Sequence, residues 1–118
     1  MKYKAIHRYA DVAPRKMRPV AQLIRGRNAD EALELLRYIP SRSARLVEQC
    51  LKSALGNAED RGSRDLDELV VLEARIDGGP IMKRIQPRAR GTAYPIKKRL
   101  SHIHITVWDG QEDTPANS

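Results

Sequence analysis

Cysteine is nearly absent from the sequence, since Cys50 is the only one among 118 residues. A single thiol forms neither an internal disulfide nor a metal cluster, so nothing indicates an oxidising compartment. No apolar run approaches the length of a membrane span, and the N-terminal MKYKAIHRYADV lacks the apolar core of a secretory signal. These absences favour a soluble protein of the cytoplasmic type with no membrane partner.

The sequence also lacks the local motifs of the common enzyme classes. It has no G-x-S-x-G, no P-loop, no cysteine–histidine pair at motif spacing and no paired carboxylates in an apolar setting. His102 and His104 lie two residues apart on one predicted strand face, a possible metal geometry. Only His7 and Cys50 remain to complete such a site, so ordinary strand residues are favoured. We expect no enzymatic activity, no metal and no cofactor.

Acidic residues are missing from the whole of residues 79–99, GPIMKRIQPRARGTAYPIKKR, which we term the basic segment. The net charge of the chain is +7, and its acids cluster between Asp30 and Glu68. Such asymmetry favours a binding face for an anionic partner. Because the basic segment repels itself, a phosphate backbone is the partner that best orders it. Its cations are Lys83, Arg84, Arg88, Arg90, Lys97, Lys98 and Arg99.

Before the basic segment, local patterns predict one strand and three helices. The predicted elements are a short strand or extended lead at 3–12, with Asp11 as a turn residue, and helices at 14–24, 28–38 and 43–59. Pro14 suits the first turn of a helix, and Gly26 its C-terminal end. Asn28 begins a capping-box-like second helix, and either Ser41 or Ser43 caps the third.

Pro19 conflicts with the first helix, because it removes one hydrogen bond and its ring clashes with the carbonyl of Arg15. Two interpretations are open: a kink at Pro19, or a helix that properly begins only near Arg18.

After Leu66 the apolar residues alternate, which predicts two paired strands. In the first strand Val70, Leu72, Ala74 and Ile76 share one face; in the second, Ile103, Ile105 and Val107 do. Residues 77–80 form either a turn or a bulge in a longer strand.

The predicted hairpin is longer than a compact domain of this size can cover. If 69–88 pairs with 92–107, each arm spans about 50 Å at about 3.3 Å per residue. A compact domain of about 100 residues has a radius of gyration of only about 13 Å. We therefore predict one domain at residues 1–110 with a projecting hairpin at about 69–107, its tip at about 86–94, and a disordered tail at 111–118.

Arg15, Lys16 and Arg18 form a second basic cluster, and with Arg25 and Arg27 they predict a second phosphate site. An exposed helix face is the alternative interpretation. Tyr94 either stacks on an unpaired base or packs across the strands. A DNA-binding helix-turn-helix in the first two helices competes with these interpretations, but the second helix begins with Asp30-Glu31, which repels DNA.

Motifs along nearly the whole chain resemble one protein family. They are Pro14-Arg15-Lys16-x-Arg18, Leu23-Ile24-Arg25-Gly26, Gly79-Pro80, Lys83-Arg84, Pro87-Arg88-Ala89-Arg90-Gly91, Lys97-Lys98-Arg99 and Ser101-His102-Ile103. This pattern, over about residues 4–107, resembles the ribosomal protein family numbered twenty-two of the large subunit. Pro19 departs from it, standing where the family pattern has an aliphatic residue.

The resemblance implies an α+β fold, with three helices packed on a small antiparallel three-stranded sheet and a long protruding β-hairpin. It implies a structural constituent of the large ribosomal subunit, cytoplasmic or organellar, that binds and organises rRNA beside neighbouring large-subunit proteins. The hairpin tip is then expected to line the tunnel of the nascent polypeptide. A basic DNA- or RNA-binding module outside the ribosome is the alternative.

Residue by residue, these arguments predict two sets. The rRNA-binding set is Arg15, Lys16, Arg18, Arg25, Lys83, Arg84, Arg88, Arg90, Lys97, Lys98, Arg99 and His102. The tunnel-tip set is Arg88, Ala89, Arg90, Gly91, Thr92, Ala93 and Tyr94.

Overall fold

The structure, a computed structural model, describes residues 2–62, 68–87 and 93–109, with the backbone alone at 82–87 and 93–97. Its elements are β1 (Lys2–Ala10), α1 (Pro14–Ile24), α2 (Ala29–Tyr38), α3 (Arg42–Asp60), β2 (Val70–Pro87) and β3 (Ala93–Trp108). The strands form one antiparallel sheet in the order β1-β3-β2. The predicted α+β fold is therefore confirmed. The predicted tail at 111–118 lies outside the described residues.

Helix α1 begins at Pro14 and continues through Pro19 to Ile24, so the interpretation that it begins near Arg18 is wrong. Proline at the first helical position loses no hydrogen bond, because that amide has no partner within the helix. Pro19 lies on the exposed side, and the carbonyl that it leaves unpaired belongs to the exposed Arg15, where water is an available donor. The kink at Pro19 stays a prediction.

The ends of the helices follow the capping residues in the sequence. The Asn28 side chain accepts a hydrogen bond from the amide of Asp30 at 3.0 Å and begins α2. The Ser41 hydroxyl accepts one from the amide of Ala44 at 3.1 Å, so Ser41 rather than Ser43 caps α3. Gly26 follows α1 with a φ of +76°, a left-handed conformation that favours glycine.

The helices cover one face of the sheet, and the core lies between them. Ile103, Ile105 and Val107 are fully buried there, as their alternation predicted. In β2 the register shifts between Val71 and Glu73, which indicates a bulge at Leu72. The shared face predicted for Leu72 is consequently wrong, since Val71 is buried and Leu72 is exposed.

The outer edge of β2 is covered by the link between α1 and α2. The amide of Gly26 donates to the Val71 carbonyl at 2.8 Å, and the amide of Val71 donates to the Arg27 carbonyl at 2.9 Å. The amide of Ala29 donates to the Leu69 carbonyl at 2.8 Å. These bonds satisfy backbone groups that an edge strand would otherwise expose, and they fix α1 beside β2.

Past the helices, β2 and β3 remain paired as a two-stranded ribbon. A register shift between Gly78 and Ile81 shows that residues 77–80 form a bulge, not a turn, and pairing continues to Pro87 opposite Ala93. The molecule measures 69 × 36 × 20 Å, with a radius of gyration of 17.8 Å. That radius exceeds the roughly 13 Å of a compact domain of about 100 residues, as the projecting hairpin requires.

A buried hydroxyl ties the loop before α1 to the sheet. Ser101 in β3 is fully buried, and its hydroxyl donates to the carbonyl of Val12. We expect Ser101→Ala to lower the free energy of unfolding by about 1 kcal/mol, because the Val12 carbonyl loses its donor. Urea denaturation would measure the change, with the exposed Ser53→Ala on α3 as the matched control. Equal stability of both variants would contradict the role of this bond.

Candidate nucleic-acid interface

A cleft of about 730 Å³ separates the beginning of α1 from the bulged part of the hairpin, and we term it the α1–stem cleft. Its helix side is formed by Ala13, Pro14, Arg15, Lys16 and Arg18, and its strand side by Gly78, Gly79, Ile81, Arg99 and Leu100. The fold thus brings the first basic cluster of the sequence beside the base of the hairpin. Within the described parts of the chain, four cations and no acid line this cleft.

A second cleft of about 290 Å³ lies over the sheet, and a third of about 480 Å³ adjoins the α1–stem cleft at the beginning of α3. The third is lined by Arg42, Lys98 and Arg99 together with Lys16, which also lines the α1–stem cleft. The two adjoining clefts therefore share Lys16 and Arg99. Together they form one continuous cationic surface, which we term the basic surface.

Asp11 is the one acid among the residues lining these two adjoining clefts. Its carboxylate lies 3.0 Å from Lys98 Nζ and 3.3 Å from Arg42 Nη2. The hydrogen bond from Lys98 is the main cause that lowers the pKa of Asp11, and Arg42 contributes further. Because the pKa is lowered in the folded state, these pairs contribute stability at neutral pH and lose it as the pH falls through that lowered value.

Two helix N-termini add to the positive potential of the basic surface. The first turns of α1 and α3, both fully described, contain no acidic residue. Unpaired amides and the helix dipole make such ends attractive to anions. Arg42 in the first turn of α3 is unfavourable for the dipole, and its ion pair with Asp11 partly offsets that cost.

Arg18 and Arg25 also face the edge of β2. Arg25 Nε donates to the Ala74 carbonyl at 2.7 Å, and Arg18 Nη2 lies 3.5 Å from the Ile76 carbonyl. Arg25 therefore holds α1 against the sheet. Arg25 is not among the residues that line the α1–stem cleft, whereas Arg18 is. Both remain predicted rRNA contacts, and Arg25 has an additional structural role that its sequence context did not indicate.

His102 lies apart from the basic surface, on the sheet face opposite the buried Ile103. Its Nδ1 accepts a hydrogen bond from the amide of Tyr9 at 3.1 Å, and the two rings meet edge to face at 5.0 Å. The proton of the neutral ring is therefore on Nε2, which can donate to an anion. The phosphate contact predicted for His102 would lie on this other face rather than beside Arg99.

His104 lies on the same face as His102 and pairs with Asp77, 3.1 Å from its carboxylate. No three metal-ligating side chains come together in the part of the chain that the structure describes.

Cys50 is buried beneath the sheet, where its thiol donates weakly to the Ala5 and Ile103 carbonyls at 3.6 and 3.7 Å. Burial raises its pKa to about 11, which keeps the thiol protonated.

The remaining predicted contacts belong to the hairpin. The backbone places Lys83 opposite Lys97 and Arg84 opposite Ile96 in the paired stem. Arg88 and Arg90, with Ala89, Gly91 and Thr92, lie outside the described residues. The backbone of Ala93 and Tyr94 belongs to β3, where Tyr94 is opposite Gln86.

Sequence reasoning missed Arg42, Asp11, Gly78 and Ile81 as parts of the interface. The sequence did contain a signal for Arg42. It lies between the two serines that could cap the third helix, and a cation at a helix N-terminus is unfavourable for the helix dipole. Gly78 and Ile81 carried none, because only the folded chain places them opposite α1.

Comparison with known proteins agrees with this architecture. A model of the family described as ribosomal protein L22p/L17e matches residues 5–108. The chain belongs to the ribosomal protein L22p/L17e family. The resemblance carried by its sequence motifs is thereby confirmed, and so is the expectation of a structural protein that is not an enzyme.

Curated relatives within the L22p/L17e family cover almost the full chain. A protein of Rhodopirellula baltica named large ribosomal subunit protein uL22 is 51% identical over 108 residues, covering 87% of this chain and 91% of its own. Proteins of the same name from Caldicellulosiruptor saccharolyticus and Staphylococcus haemolyticus are 48% and 49% identical. They cover 90% and 96% of this chain, and 87% and 97% of their own lengths.

The helices of this L22p/L17e member do not resemble membrane spans: within the described ranges, none combines the necessary length and apolar character.

The structural role of Arg25 can be separated from RNA binding in the free protein. We expect Arg25→Ala to lower the free energy of unfolding by about 1–2 kcal/mol, because the Ala74 carbonyl loses a charged donor. Arg15→Ala is the matched control, since the Arg15 side chain is exposed and only lines the cleft. Thermal and urea unfolding without RNA would measure both. A stable Arg25→Ala protein would show that this bond does not hold α1.

Proposed function

We propose that this chain binds and organises the rRNA of the large ribosomal subunit through the basic surface and the hairpin stem. The observation that carries the proposal is the convergence of Arg15, Lys16, Arg18 and Arg99 on one cleft, which no acid among the described residues lines. Like charges repel, so a set this close is stabilised by a polyanion and not by the protein itself. Phosphate groups supply that charge, and Arg and Lys bind them without reading sequence.

Several cations elsewhere on the chain are paired with acidic residues. Their contrast with the basic surface supports the proposal that this surface binds rRNA. Arg45 and Lys52 lie 2.7 and 3.1 Å from the nearly buried Glu48, and Arg75 lies 3.2 Å from both Glu73 and Asp77. On the helices and on the outer sheet face, these cations are neutralised within the protein. Among the described residues that line the basic surface, Asp11 is the one acid. The basic surface therefore carries more positive charge than its own acid neutralises.

Removing charge from the basic surface tests this proposal. We expect Arg15→Gln combined with Arg99→Gln to weaken binding to protein-free large-subunit rRNA. The plot of log affinity against log salt should become shallower by about 1.5, since each phosphate contact contributes about 0.7–0.9. Filter binding over a potassium chloride series would measure it.

The matched control removes the same charge elsewhere, with Arg37→Gln combined with Arg61→Gln. Both arginines are exposed, and neither lines the basic surface. The control should keep the parental slope. If the slope of log affinity against log salt becomes shallower by the same amount in both double variants, the RNA does not select the basic surface and the proposal is wrong.

We further propose that the hairpin tip lines the tunnel of the nascent polypeptide. The paired stem supports this, because it continues to Pro87 and Ala93 along a molecule 69 Å long. The sequence between these residues combines cations with the small residues Ala89 and Gly91. Such residues suit a narrow channel with phosphate walls.

A photoreactive side chain in place of Arg90 tests the tunnel position. In ribosomes stalled with a labelled nascent chain, we expect crosslinks from position 90 to that chain, because a tunnel tip would lie beside it. The same group in place of Arg37, which is exposed on the globular part, is the control and should give none. Crosslinks from position 90 to rRNA alone would reject the tunnel position and leave the rRNA-binding proposal standing.

A further inference from the structure

We infer that the α1–stem cleft holds one unpaired nucleotide, its base inside the cleft and its phosphate on the cationic rim. The inference rests on the proposed function, since it specifies which RNA element the basic surface binds. It goes further in predicting that an unstacked base, and not only the phosphate backbone, is recognised there.

The interior of the cleft has the character of a base-binding site. Pro14, Ile81 and Leu100 line it together with the backbone of Gly78 and Gly79. Ile81 is 53% exposed although it is a large apolar side chain. Phosphates bound at the rim alone would leave this apolar surface in water. A base removes it from water, and every base has an apolar face.

The two glycines that line the cleft have different surroundings. A Cβ on Gly79 would lie 3.0 Å from the carbonyl oxygen of Leu100, so glycine there allows the two strands of the bulge to approach closely. A Cβ on Gly78 would meet no atom within 4 Å. Packing therefore does not require glycine at 78. A side chain at that position would occupy space that the fold leaves empty.

The rim and the volume fit a nucleotide. Arg15, Lys16, Arg18 and Arg99 surround the apolar interior and can bind the phosphates on either side of an inserted base. The cleft volume of about 730 Å³ falls within the roughly 300–1,000 Å³ of small-molecule sites. An RNA duplex keeps its bases stacked, whereas loops and bulges offer unstacked ones. An acidic protein segment matches the rim but not the apolar interior.

Filling the cleft without changing charge tests the inference. We expect Gly78→Leu to weaken binding to protein-free large-subunit rRNA about tenfold, near the low end of losing one stacked base. The salt slope should stay parental, because the phosphate contacts remain. Chemical probing with dimethyl sulfate and a uridine-specific carbodiimide should show one unpaired nucleotide become reactive that the parental protein protects.

Gly56→Leu on α3 is the matched control. Its added side chain also meets open space, and it should leave affinity and protection unchanged. Ile81→Ser is a second variant, which removes apolar surface without blocking the cleft, and it should weaken binding in the same direction. Thermal unfolding of all three variants establishes that they are folded.

Three results would overturn the inference. The first is parental affinity and protection for Gly78→Leu. The second is a shallower dependence of log affinity on log salt for Gly78→Leu, with no newly reactive base. That result would show that the cleft binds phosphate only. The third is normal binding to protein-free rRNA but exclusion from assembled subunits, which would identify a protein occupant. Each leaves the proposed function intact, because that proposal is tested by the Arg15 and Arg99 double variant: it fails if this variant keeps its parental slope or loses no more slope than the Arg37 and Arg61 control.

Discussion

The continuous antiparallel pairing of β2 with β3 is the interaction on which the rest of the structure depends. Over the body of the protein it supports a core that includes Ile103 and Ile105. Beyond the bulge after Gly78, the backbones of the two strands remain paired as far as Pro87 and Ala93. This pairing carries the stem away from the core, which would not tolerate the cations of the basic segment.

Charge distinguishes one surface of the body as the candidate site for an anionic partner. Helix α1 is fixed beside the edge of β2 by the bonds around Gly26 and by Arg25, and this placement turns Arg15 and Lys16 towards Arg99. Arg45 and Lys52 in α3 and Arg75 on the outer sheet face are paired with carboxylates. At the basic surface, Asp11 orients Lys98 and Arg42. We propose that the remaining cations of that surface contact rRNA.

Much of the fold was predictable because its signals are local. Asn28 and Ser41 begin helices through bonds to amides two or three residues away, and Gly26 ends one through its own backbone conformation. The failures involved longer-range effects. Leu72 was assigned to the wrong face because its bulge depends on the register with β3, and Pro19 remains inside a helix because the affected carbonyl is exposed to water.

The sequence by itself determined the helices, the strands and the presence of a hairpin with an acid-free basic segment, since periodicity, capping and charge depend on neighbouring residues. It also carried the family resemblance that the comparisons confirmed. Only the tertiary structure decided that Arg15 and Arg99 share a cleft, that His102 lies on the other face and that Gly78 opens towards α1. Residues more than 60 positions apart meet through the sheet register and the packing of α1, and neither can be read from a local pattern.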